Sequence, residues 1–168
     1  MLELRVISNN EMVVLKLEHS LLAVSKWESK FKVAFLTDRQ KTPEQMLYYY
    51  QCMLVSPEDS SDLIYALSPD QLKQVVEYIT ETRTAANIYA ASDKLANADT
   101  PTSDVIYYWM VSQRIPFEAE KWHLSRLLML TQIISVKQSK TDKRQSNSAG
   151  ARWRALSERR RAETGSTG

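Results

Sequence analysis

Hydrophobic positions alternate with polar ones at the N-terminus and then change period. Leu2, Leu4 and Val6 alternate with Glu3, Arg5 and Ile7, and Met12, Val13, Val14, Leu15 and Leu17 follow Asn9-Asn10. Two short β-rich runs around an Asn-Asn pair predict a hairpin, because asparagine tolerates the positive φ of a tight turn. A lone two-stranded hairpin is marginal in water, so it must lie on other elements. From Ser20 to Phe31 the pattern becomes helical, with Leu21, Val24, Trp27 and Phe31 on one face.

Three proline-marked helix starts follow. Thr42-Pro43-Glu44-Gln45 offers a cap, a proline at the first helical position and a capping-box glutamine, and opens a helix through Met46, Leu47, Tyr50 and Leu54. Ser56-Pro57-Glu58 repeats the pattern before a shorter helix near Ser61 to Leu67. Ser68-Pro69-Asp70-Gln71 starts another helix, with Leu72, Val75, Val76 and Ile79 on one face. Thr84 to Asp99 reads either as helix or, over Thr84 to Tyr89, as a short strand. Thr102-Ser103-Asp104 caps a helix from about 104 to 113, and Pro116 interrupts it. A last long helix is predicted from Phe117 to about Lys137. Its stripe of Leu124, Leu127, Leu128, Thr131 and Ile134 is widened by Leu130 and Ile133. Each such aliphatic contributes roughly 1.5–3 kcal/mol when buried.

These elements predict an α+β, predominantly helical fold: a short N-terminal β-hairpin packed on a bundle of about five helices, with a basic C-terminal tail. The globular part is expected over residues 1–137. Residues 138–168 form a basic, mostly disordered tail, since SKTDKRQSNSAG is polar and has no apolar periodicity. Within it, 151–163 can form one short helix with Trp153 and Leu156 on one side. Such a helix is marginal alone and is expected to order on a partner.

Composition sharpens this picture. Three glycines in 168 residues favour helices over a turn-rich barrel. The single cysteine, Cys52, excludes an internal disulfide and a cysteine-based zinc site within one chain. No window approaches 18 consecutive apolar residues, so no membrane span is expected, and MLELRVISNNEM lacks the layout of a signal peptide. The net charge of +2 conceals an asymmetry. Residues 1–136 carry 13 Lys and Arg against 17 Asp and Glu, net −4, and residues 137–168 carry 9 against 3, net +6.

The chemistry-bearing residues give no catalytic set. His123 and His19 are the two histidines, with no carboxylate cluster at metal-ligand spacing, so a packed histidine is the simpler reading. Glu118 and Glu120 suit the start of a helix through its dipole. Cys52 reads as a buried structural thiol. Nucleotide-binding loops, nucleophile elbows and HExxH are all absent from the sequence, so no catalytic residue, cofactor or metal is assigned. The tail arginines Arg152, Arg154, Arg159, Arg160 and Arg161 have two uses open to them: an acidic protein surface or nucleic-acid phosphates.

The stretches LEHSLLAVSKWESKF, KTPEQ, IYYWM and IPFEAEKWHLSRLLML, in this order, resemble small proteins encoded in the tail-gene region of long-tailed bacteriophages, especially those of actinobacteria. These are tail assembly chaperones. The resemblance spans roughly residues 15 to 136 and extends to the Arg-rich ending. It implies a non-enzymatic protein of the host cell cytoplasm that binds the phage tape measure protein and keeps it soluble during tail morphogenesis. It also implies self-association. Such work needs an apolar surface for partner helices, for which Tyr107, Tyr108, Trp109, Met110, Trp122 and Met129 are the candidates. Two alternatives stand beside it: a virion-resident head or tail structural component, and a nucleic-acid-binding accessory protein acting through the arginine tail.

Overall fold

A computed structural model of the chain describes residues 1–8, 11–37, 40–55, 61–81 and 101–164. Strand β1 (Leu2–Ser8) pairs antiparallel with β2 (Glu11–Leu17), from Leu2 opposite Leu17 to Ser8 opposite Glu11. That register leaves residues 9–10 as the connection, and the predicted Asn-Asn turn itself lies outside the described residues. The alternation sorts the two faces. Leu4, Val6, Leu15 and Leu17 are buried, while Arg5, Ile7, Met12 and Val14 face outward. Beyond β2 the chain returns as a short third edge: Val55 N–H donates to the Lys16 carbonyl at 2.9 Å and Glu18 N–H to that of Met53 at 2.8 Å. On the far side of β1, the Gln71 side chain donates to the Arg5 carbonyl at 2.7 Å.

Helix α1 (Leu21–Phe31) is capped by the Ser20 hydroxyl, which accepts from Ala23 N–H. It buries Leu21, Ala23, Val24 and Trp27. Helix α2 (Pro43–Cys52) opens with the predicted Thr42–Gln45 capping box, both halves of which are formed. A short 3-10 helix (Ser61–Ala66) precedes α3 (Pro69–Thr80), whose Ser68–Gln71 capping box is likewise complete. The α3 face is rotated from the predicted one. Val75 and Tyr78 are buried, and Val76 is exposed.

The core centres on Trp27. Its indole N–H donates to the Gln45 carbonyl at 2.9 Å, and Phe35 lies edge-on to it while stacking on Tyr49. Buried aromatics need such a partner for each polar handle.

Helix α4 (Ser103–Ser112) matches the predicted span and takes Thr102 as its cap. Two corrections follow it. Residues Phe117–Lys121 form a 3-10 helix, Trp122 is extended (φ −72°, ψ 160°), and the long helix α5 begins at Leu124, not Phe117. The reason is non-local: His123 bridges Ser20, and Leu124 N–H donates to the His19 carbonyl at 2.7 Å. Glu118 and Glu120 therefore do not stand at the start of the long helix.

Helix α5 then runs from Leu124 to Thr164, through the stretch expected to be a disordered linker. That stretch holds no proline, so no residue in it forces a break in the helix. The chain divides into two units, Met1–Thr131 and Gln132–Gly168, with the boundary inside α5. In the first unit α5 buries Leu124, Leu127 and Thr131; in the second Ile133, Ile134 and Val136 are only half-buried.

The result is an α+β, mostly helical fold with an N-terminal hairpin, and five α-helices among the described residues. Among them no helix is long and apolar enough to cross a membrane. The ambiguous stretch Thr84 to Asp99, the Ser56-Pro57-Glu58 helix start and the terminal residues 165–168 lie outside the described ones.

Candidate interaction surface

Helix α4 divides the aromatic run Tyr107-Tyr108-Trp109-Met110 by its phase. Ile106 and Met110, four apart, are fully buried. Met110 is thus a core residue that no partner reaches in this fold, which corrects its place among the candidates. Asp104, Tyr108 and Val111 fall on the opposite side, and Tyr108 and Val111 are 69% and 59% exposed. Tyr107 and Trp109 are half-buried flanks. After α4 the chain reverses through Arg114, a non-glycine in the left-handed region (φ 57°), and Ile115 N–H closes back on the Met110 carbonyl. This reversal brings Phe117, 56% exposed, against Tyr107, with ring centroids 6.3 Å apart.

Acidic groups border this surface. The Tyr107 hydroxyl donates to Glu120 Oε2 at 2.8 Å. Desolvation, that hydrogen bond and the charges of Glu120 and Asp104 push the Tyr107 phenol up, to a value far outside the physiological range. Tyr107 is therefore a fixed neutral donor that locks the turn after α4 to the helix. Trp122, 37% exposed, carries the Arg126 guanidinium 4.9 Å over its ring. Met129 is half-buried on α5. The structure thus places Tyr107, Tyr108, Trp109 and Trp122 at or near the surface. Val111 and Phe117 join them without having been singled out by the sequence. Helix phase from the buried Met110 indicates Val111; the position of Phe117 depends on the Arg114 turn and has no local signal.

The arginine tail lies on the second unit. Arg152, Arg154, Arg159 and Arg160 are exposed on α5, with Trp153 70% and Leu156 52% exposed between them. The Arg161 side chain falls outside the described ones.

Elsewhere, titratable groups meet in the core. His19 and His123, distant in sequence, lie edge-to-face with ring centroids 5.2 Å apart. His19 Nδ1 is 2.6 Å from the Tyr49 hydroxyl; His123 contacts Ser125 Oγ at 2.8 Å and the Tyr78 carbonyl at 3.2 Å through its two ring nitrogens. The Tyr78 hydroxyl donates to Glu18 Oε1 at 2.6 Å, and Glu18 pairs with the N-terminal ammonium at 2.8 Å. Burial, reinforced by the charge of His123, lowers the His19 pKa to about 3. Such an enclosed pair serves packing; it offers no exposed base beside a nucleophile. Cys52 is half-buried, and desolvation raises its thiol pKa, so it is not an activated thiolate.

A cavity of about 300 Å³ lies between the end of α1 and the start of α4. Of its two lining carboxylates, Glu28 and Asp104, Glu28 is engaged structurally: Oε1 accepts from Phe35 N–H at 2.8 Å and Oε2 from Ser103 N–H at 2.7 Å. Among the described residues, no group of three or more His, Cys, Asp and Glu stands together to hold a metal ion.

Compared with protein-family models, with curated proteins and with solved structures, the chain finds no match.

Proposed function

We propose that this chain is a non-enzymatic assembly factor, a tail assembly chaperone of a long-tailed bacteriophage, acting in the host cytoplasm on the tape measure protein. The observation that supports it best is the exposure of the apolar side chains Tyr108, Val111 and Phe117, with Tyr107 against Phe117. Large exposed aromatics set on a rigid helix mark protein contact more often than chance exposure. The resemblance of residues 15 to 136 to such chaperones supplies the partner. A tape measure protein is long and helical, and the apolar stripe of an amphipathic helix fits a surface of this kind.

The test is co-expression with a tape measure protein, followed by affinity capture and native mass measurement. The expected result is a soluble complex with several copies of this chain on one partner. Tyr108→Ser with Phe117→Ser should lose the complex while keeping the helical circular dichroism of the parent. A tape measure protein that stays insoluble with no capture overturns the reading, as does stoichiometric recovery of this chain in purified virions.

A further inference from the structure

We infer that the C-terminal segment Arg152–Arg160 of one copy docks on the α4 surface of a second copy, making the chain self-associate. The segment is a built amphipathic helix. Trp153, Leu156 and Arg160 fall at i, i+3 and i+7, on one face. Arg152 and Arg159 flank that face on one side and Arg154 on the other, so exposed apolar side chains sit between two basic rails. A helix that binds nucleic-acid phosphate has no use for Leu156 between its arginines. A protein surface that is apolar in the middle and acidic at the edge uses both.

The chain itself carries such a surface. Tyr108, Val111 and Phe117 form the apolar part, and Asp104, Glu118 and Glu120 are the acids of the same stretch. The bases of that stretch are Arg114 and Lys121, leaving it net negative within a body of net −4, against a tail of net +6. Asp104 stands one turn before Tyr108 on the same face of α4, and Glu120 accepts from the Tyr107 hydroxyl, which places both charges at the edge of the patch. Trp153 and Leu156 then meet Tyr108, Val111 and Phe117, and the arginine rails meet the acids. A contact of this kind pairs two copies by exchange of tails or adds copies head to tail, and the masses seen in solution tell the two apart.

This inference shares the α4 surface with the proposed function and needs no tape measure protein. The experiment uses the full chain alone, by sedimentation across a dilution series at low and moderate salt. The expected result is reversible association that weakens with salt. Trp153→Ala with Leu156→Ala should weaken it by about tenfold or more, as loss of anchor residues does. Tyr108→Ser with Phe117→Ser should do the same.

Charge exchange gives the sharper arm. A chain with Arg152→Glu and Arg159→Glu, and another with Asp104→Arg and Glu118→Arg, should each associate poorly alone and recover when mixed. A chain that is monomeric at every concentration overturns the inference, as does association indifferent to Trp153 and Leu156. Binding of a single-stranded or duplex oligonucleotide through the same arginines by a chain that stays monomeric also overturns it, and makes the tail a nucleic-acid arm. None of these results decides tape measure binding, which is read from the separate co-expression.

Discussion

Mild acid should destabilise this protein through His19. The ring is buried against Tyr49 from α2 and His123 from the bridge before α5. Behind His123 lie Tyr78 of α3 and Ser125 of α5. In the tautomer protonated at Nε2, Nδ1 accepts the Tyr49 hydroxyl proton. Protonating Nδ1 removes that acceptor and sets a second cation-forming ring 5.2 Å away in a desolvated site. The folded pKa is accordingly about 3 against 6.5 in the unfolded chain.

The sign follows from proton counting. Above pH 6.5 the ring is neutral in both states and the full stability is present. Below it the unfolded state binds the proton first, so stability falls continuously until the folded ring also titrates near pH 3. Between about pH 7.5 and about pH 5 the unfolded ring gains about 1.5 pH units of protonation free energy, a loss of about 2 kcal/mol. For a domain of this size that is a fall in Tm of about 4–8 °C. The ordinary carboxylate pKa lies below this window, so the slope read there reports His19. Urea unfolding followed by tryptophan fluorescence across the window reads the effect. His19→Gln should be less stable at neutral pH and show a slope flatter by about that amount. Equal stability at both pH values, or an unchanged slope in His19→Gln, refutes the account of the core pair.

Four further outcomes are expected. Met110→Ala should cost about 2–5 kcal/mol as a cavity in the core, whereas Tyr108→Ser two residues earlier should change stability by less than about 0.5 kcal/mol, both by chemical unfolding. Glu28→Ala should cost about 2–3 kcal/mol because it leaves the Phe35 and Ser103 N–H groups without their acceptor, and Glu28→Gln should recover part of that loss. Thr42→Ala and Ser68→Ala should each cost about 1 kcal/mol and add in the double variant, since they cap separate helices. Lys32→Gly and Arg114→Gly should each stabilise the fold by about 0.5–1 kcal/mol in thermal melts, since both positions hold positive φ that a side chain opposes.

What could be read from the sequence was what is determined locally. Both proline-led capping boxes formed where Thr42 and Ser68 stand three residues ahead of a glutamine, because that motif closes within one turn. The alternation of Leu2, Leu4 and Val6 with Glu3 and Arg5 marks the inner face of β1, but Met12 to Leu15 is an unbroken apolar run, and only the pairing shows that Leu4 and Leu15 lie inside together and Ile7 and Met12 outside. The face of α3 was harder. Tyr78 carries a polar hydroxyl, yet it is buried because Glu18 accepts its proton, so Val76 turns outward. On α4 the run of four apolar residues has no phase of its own, and only the burial of Ile106 and Met110 decides that Tyr108 is outside. The candidate surface was therefore half legible: the segment could be identified, but its exposed members could not.

The start of α5 shows why the remainder was hidden. Phe117 to Lys121 has the acidic residues that suit a helix N-terminus, and nothing within the segment stops a helix from running on through Trp122. The chain instead extends at Trp122 so that His123 pairs with Ser20 and the first free N–H of α5, on Leu124, finds the His19 carbonyl. A partner more than a hundred residues earlier thus does the work of a helix cap. The same residue pair places the two histidine rings against each other, so one non-local contact fixes the helix start and creates the acid-sensitive core. It also leaves Phe117 free of any long helix and lets it turn onto Tyr107, which builds the outer surface. Because the non-local contact is made by backbone atoms, His19→Gln should lower stability yet keep the helix start and the proposed partner-binding face, so its tape measure capture should match the parent's at a pH where it remains folded. Weakened capture by the folded variant would mean that the His19 ring itself, and not the backbone bridge, holds the turn that carries Phe117.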